Sequence, residues 1–100
     1  MINKVLGLLG ISAKAGKIVS GTDLVLEEMQ KQKVYLVIIA EDASGKTKKN
    51  IIYYCTKNNV QHIIFGTIDE LSKSIGKNNK AIIGIEDQNL AKAIIDKIID

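Results

Sequence analysis

The chain has 100 residues, of which 46% are hydrophobic and 4% aromatic, with a single cysteine and a net charge of +3. That is enough to bury one aliphatic core without disulfide staples, and it is too apolar for a disordered segment. The lone Cys55 excludes an internal disulfide and no stretch reaches the roughly eighteen uninterrupted apolar residues of a membrane span, so a cytoplasmic protein with no membrane association is expected. All 14 basic residues are lysines. Any grip on a polyanion then rests on hydrated point charges, weakens steeply with salt, and draws specificity from another source.

Val5, Leu6, Leu9 and Ala13 recur at helical spacing, which predicts a first helix from Asn3 to about Ala13 with Gly16 as its stop. Lys17 to Ser20 reads as a short strand. A second helix follows from Thr22 to about Gln32, with Val25, Leu26 and Met29 inward and Glu27, Glu28 and Lys31 outward. Ser20 and Asp23 have capping-box spacing, so this helix should begin within a residue or two of Gly21. Val34 to Ala40 is a continuous β-branched run, short enough to be a strand covered on both faces.

Glu41 to Gly45 is a polar loop. The helix after it turns Ile51, Ile52 and Cys55 inward and Lys46, Lys49, Asn50, Tyr53 and Lys57 largely outward, and Asn58-Asn59 ends it. His62 to Phe65 is a short strand. Thr67 and Glu70 form a capping box before Leu71 and Ile75, with Gly76 as the stop, and Lys77-Asn-Asn-Lys80 is a basic turn. Ala81 to Ile85 is the last strand; Asp87 caps a final helix whose buried stripe is Leu90, Ile94, Ile95 and Ile98. Strands alternating with helices predict one domain over residues 1–100, a three-layer α/β/α sandwich around a sheet of about four strands.

Enzyme chemistry finds little support. Ala40 to Thr47 ends in the Gly-Lys-Thr of a phosphate loop, but Ala40 replaces the first glycine. Glu41 and Asp42 would each cost about 1 to 4 kcal/mol against a phosphate charge 4 Å away, more than the one lysine returns. His62 has no local carboxylate pattern, Cys55 has no metal spacing and reads as a small core side chain, and no serine sits in a Gly-x-Ser-x-Gly turn. A non-enzyme is expected, with no catalytic residue, no metal and no cofactor. The strand-to-helix junction is more telling, because a helix N-terminus carries unpaired N–H groups and roughly half a positive charge. If the Gly16-Lys17 turn, the Gly21-Thr22 helix start and the Gly76 to Lys80 turn converge, they form one basic, amide-rich edge nearly free of aromatics, which suits a bent or structured RNA better than a stacked single strand.

The segments Ala15-Gly-Lys-Ile-Val-Ser-Gly-Thr22, Leu36-Val-Ile-Ile-Ala-Glu-Asp42 and Glu70-Leu-Ser-Lys-Ser-Ile-Gly-Lys77 resemble, in order and spacing, the small RNA-binding ribosomal proteins of the L7Ae and L30e type. Val19-Ser-Gly-Thr-Asp-Leu-Val25, Glu41-Asp-Ala-Ser44 and Ser74-Ile-Gly-Lys77 are similar to its bacterial YlxQ-type branch. The resemblance implies a mixed four-stranded sheet and binding to kink-turns, sharply bent RNA helices with tandem sheared G·A pairs, in a ribosomal or translation-associated ribonucleoprotein. It places Gly16, Lys17, Gly21 and Thr22, and Gly76, Lys77 and Lys80, near the RNA. Together with Lys14, Asp23, Asn78 and Asn79, these residues make the expected interface of a monomer. Asp23, Leu24 and Glu27 stand where the kink-turn binders commonly have asparagine, glutamate and lysine, and Asn78 and Asn79 replace larger side chains that pack on a flipped-out base. The alternative is a protein-protein interaction module on the same fold, since a leucine set between acids is an ordinary tool for a protein contact.

Overall fold

The computed structural model describes residues 2–99 and consists of nine elements in strict alternation after the first helix: α1 (Ile2–Lys14), β1 (Ile18–Ser20), α2 (Thr22–Gln30), β2 (Leu36–Ile39), α3 (Gly45–Lys57), β3 (Gln61–Ile64), α4 (Ile68–Ser74), β4 (Ile82–Ile85) and α5 (Gln88–Ile99). The sheet order is β1-β4-β2-β3, with β4 antiparallel to both neighbours and β2 parallel to β3. Helices α1, α4 and α5 pack together on one face, and α2 packs beside α3 on the other. This is the mixed-sheet α/β/α sandwich expected from the sequence.

The central strands carry the core. Leu36, Val37, Ile38 and Ile39 of β2 are fully buried, as are Ile82, Ile83 and Ile85 of β4, and each such side chain contributes about 1.5–3 kcal/mol through burial. Cys55 is likewise buried, and burial pushes its thiol up to about 11, which marks it as a packing residue with little thiolate. Gly84 faces Val19 so closely that an added methyl would sit 3.0 Å from Val19 Cγ2. Strand β3 is an edge, and its Ile64 is half exposed.

Two elements end earlier than their apolar patterns suggest. Gln32 adopts a positive φ of 60° after the cap at Lys31, which closes α2 at Gln30. Tyr35 still donates to Ile85 O but points outward, so β2 is flanked on both sides only from Leu36 to Ile39.

Strand directions sort the loops into two groups. Since β1, β2 and β3 run one way and β4 the other, the starts of α2, α3 and α4 lie at one end of the sheet with the segment that leads into β4. In open α/β sheets this carboxyl end of the parallel strands is where ligands collect. Backbone bonds from Gly21 to Ile82, Ala40 to Ala81 and Glu41 to Gly66 tie the loops together there.

Candidate nucleic-acid interface

Three helices begin at this end, and their N-termini differ in how their free amides are used. At α3, Ser44 Oγ accepts from Thr47 N at 3.1 Å. At α4, Thr67 Oγ1 accepts from Glu70 N, Glu70 Oε1 accepts from Thr67 N, and Asp42 Oδ1 reaches across to accept from Ile68 N at 2.8 Å. The expected Thr67-Glu70 capping box is therefore present. At α2 the N-cap is Gly21, with φ 92° and ψ 147°, and no side chain caps it.

The expected Ser20-Asp23 box does not form. With Gly21 as N-cap, the two box positions fall on Gly21 and Leu24, neither of which carries an acceptor, while Ser20 is still paired in β1 opposite Ile83. The helix does start at Thr22 as expected. Its first turn thus presents N–H groups and the positive end of the dipole without an internal acceptor at the cap.

Lys80 lies over this helix start. A methyl group added at Gly21 would sit 3.7 Å from Lys80 Nζ, so the ammonium group stands beside the uncapped amides. Its backbone is held by Ser72, a buried side chain whose hydroxyl accepts from Lys80 N at 2.8 Å and donates to Lys80 O at 3.3 Å. Lys77 N donates to Ser72 O, and the intervening turn uses positive φ at Gly76 and Asn79. Lys77, Asn78 and Asn79 then border a surface depression of about 400 Å³ with Asp42, Ile68, Asp69 and Lys73. That depression is of mixed charge, since Lys73 is paired with Asp69 at 3.1 Å.

The structure brings together Gly21, Thr22 and Lys80, with Asp23 exposed in the next position of α2, and sets Lys77, Asn78 and Asn79 alongside α4. It does not bring the Gly16-Lys17 turn to them. Lys17 precedes β1 and Gly21 follows it, so about 13 Å of extended chain lies between the two. Gly16 and Lys17 instead border a depression with Gln32, Lys33, Tyr35 and Glu86 at the opposite end of the sheet. Lys14 and Gly76 share a third cleft with Gly10 and Ala13 of α1 and Lys73 to Ile75. The expectation of one edge formed by all three glycine-hinged turns is corrected by the direction of β1.

A second group of residues was passed over in the sequence. Lys46, Lys49, Asn50 and Tyr53 follow one another at i, i+3, i+4 and i+7 on α3, and with Thr22 and Thr47 they line a groove of about 470 Å³ between α3 and the start of α2. Tyr53 is 59% exposed. The spacing was legible as a solvated helix face, but nothing in the sequence told that this face borders the α2 N-terminus. One aromatic ring thus borders an edge expected to be nearly free of them.

The sequence matches the profile of the "Ribosomal protein L7Ae/L30e/S12e/Gadd45 family" over residues 3–95. The chain belongs to this family. It is 35% identical over 88 residues to the "RNA-binding protein YlxQ" of Bacillus subtilis (strain 168), covering 88% of each chain. A YlxQ protein of Enterococcus faecium is 32% identical over 89 residues, covering 89% of this chain and 85% of that one. Among solved structures, a protein of unknown function from Bacillus halodurans C superposes with a TM-score of 0.93 at 30% identity, covering 97% of this chain and 98% of the other. The Giardia lamblia 15.5kD RNA binding protein superposes with a TM-score of 0.81 at 22% identity over 94% and 83% of the two chains, a likeness of fold.

Proposed function

We propose that the protein is a non-enzymatic RNA-binding protein that seats a kinked or internally looped RNA on the end of the sheet where α2 begins. The observation that carries this reading is the contrast between helix starts: α3 and α4 are closed by Ser44 and by Thr67 with Glu70, whereas α2 is capped by Gly21 alone beneath the Lys80 ammonium group. Exposed amides there can donate to a base edge or phosphate while lysine supplies affinity without sequence preference. Lys77, Asn78 and Asn79 extend the contact along α4, and Thr22 and Asp23 face the RNA at the helix start. Asp23 accepts from a guanine edge and repels phosphate, so it favours a base over backbone at that position.

The ribosomal members of the family and the RNA-binding names of the YlxQ relatives support service to translation, and we propose that the protein acts there as a cytoplasmic monomer. Titration of the protein against a kink-turn RNA and against the same RNA straightened by full pairing tests the reading. Tighter binding to the kinked form is expected, and equal affinity for both overturns kink selection. A second reading has one observation in its favour: Leu24 is 45% exposed between the exposed Asp23 and Glu27, as in a protein-contacting surface. It gains ground if neither RNA binds and cellular ribosomal proteins crosslink at Leu24.

A further inference from the structure

We propose that the α2–α3 groove is a base-stacking subsite, in which one unpaired nucleotide of the bound RNA lies on the ring of Tyr53 with its flanking phosphates at Lys46 and Lys49. The inference rests on the RNA-binding reading above and adds a site to it. The groove opens beside Thr22, in the first turn of the uncapped helix, so an RNA seated there has its next nucleotide within reach of α3. Its volume of about 470 Å³ lies within the roughly 300–1,000 Å³ of small-ligand pockets.

Its chemistry selects an anionic aromatic occupant. The lining contains Lys46 and Lys49 and no carboxylate, unlike the depression beside Lys77, which holds Asp42 and Asp69. Among the described residues neither Lys46 nor Lys49 makes an ion pair. Lys48, one position away, is tied to Glu41 O at 2.6 Å and stays out of the groove. Tyr53 is the most exposed large hydrophobic side chain among the described residues. An edge-to-face contact with Tyr54, with ring centroids 5.1 Å apart and planes at 82°, flanks its ring. Asn50 offers a donor and an acceptor to the edge of a stacked base.

A kink-turn RNA carrying 2-aminopurine at each unpaired position in turn is the probe. Wild type and Tyr53→Phe are expected to quench the fluorophore at one position. Tyr53→Ala is expected to lose that quenching and to weaken binding about tenfold, within the range for one base stacked on an aromatic ring. Lys49→Ala is expected to lower the slope of log affinity against log salt by about 0.7–0.9. Melting curves check that Tyr53→Ala folds, as an exposed position allows. Unchanged affinity and quenching in Tyr53→Ala, with Lys80→Ala still weakening the same RNA, overturn the subsite and leave the RNA reading standing. If the wild-type protein binds none of these RNAs, both fall.

Discussion

Ser72 ties the position of Lys80 to the core, because its hydroxyl both accepts from and donates to the Lys80 backbone while the side chain is only 3% exposed. Ser72→Ala leaves the part-buried Lys80 amide without that acceptor, at a cost toward the lower end of the roughly 1–3 kcal/mol of an unsatisfied buried donor. Urea denaturation is expected to register that loss, and RNA affinity is expected to fall with it although Ser72 is not among the proposed RNA contacts. The pair Glu28 and Glu86 sets a different residue-level response. Burial raises the pKa of Glu86, and Glu28 beside it adds to the rise, against a smaller pull from Lys33 and Lys17; Glu28 is lowered by its bonds to Glu86 and Lys31. Glu86 Oε2 is also buried and accepts no hydrogen bond. Because the folded protein holds the Glu86 proton more tightly than the unfolded chain, that contribution is complete below the ordinary carboxylate pKa and is lost as pH rises through the raised value. Glu28 acts in the opposite sense, its contribution fading only as pH falls below the ordinary value. Glu86→Gln mimics the protonated form, so its melting temperature is expected to match wild type near pH 4 and exceed it at pH 7. Equal melting temperatures at both pH values would remove the pair from the account.

At the scale of elements, the open start of α2 gains meaning from the closed start of α4. Thr67→Ala removes the capping oxygen that accepts from Glu70 N, and loss of such a cap costs about 0.5–2 kcal/mol. Thermal unfolding is expected to show the loss while RNA affinity at constant temperature stays within twofold, since those amides are already occupied in the free protein. Much of this was readable in the sequence: the Thr67-Glu70 spacing gave the α4 box, Asp87 does accept from Leu90 N, and the β-branched run from Val34 gave the buried strand. The α2 cap was not readable in the same way. Ser20 and Asp23 have the correct residue types, but the sheet ladder runs through Ser20 and on to the Gly21 amide, which is bonded to Ile82 O, so the first non-strand residue is the glycine. Local spacing proposes a cap, and the end of the neighbouring strand decides which residue becomes it. Tyr53 escaped for a similar reason, since helical periodicity separates outward from inward but does not name the element across the groove.

On the scale of the whole molecule, the direction of a three-residue strand redistributes the charge. The sequence places Lys17 four positions before Gly21, and any short loop between them would have put both at one site; because Ile18 to Ser20 are extended, the two lie at opposite ends of the sheet, about 13 Å apart. Lys80 and Lys77, which are distant from Gly21 in the chain, come to its end because β4 runs antiparallel to β1. The lysines therefore fall into two sets with different reach. In the proposed docking, a short kink-turn RNA seated on α2 meets Lys77 and Lys80, so Lys80→Ala and Lys77→Ala are each expected to lower its salt slope by about 0.7–0.9, one phosphate's worth. In that docking Lys17 meets only an RNA whose helical arm extends past the start of β1. Lys17→Ala is expected to leave the slope of the short RNA unchanged and to reduce it once that arm is lengthened by about half a helical turn. A Lys17→Ala effect already present with the short RNA would mean that the RNA lies along β1 and not across the helix starts, and the docking surface would have to be redrawn around the Gly16 turn.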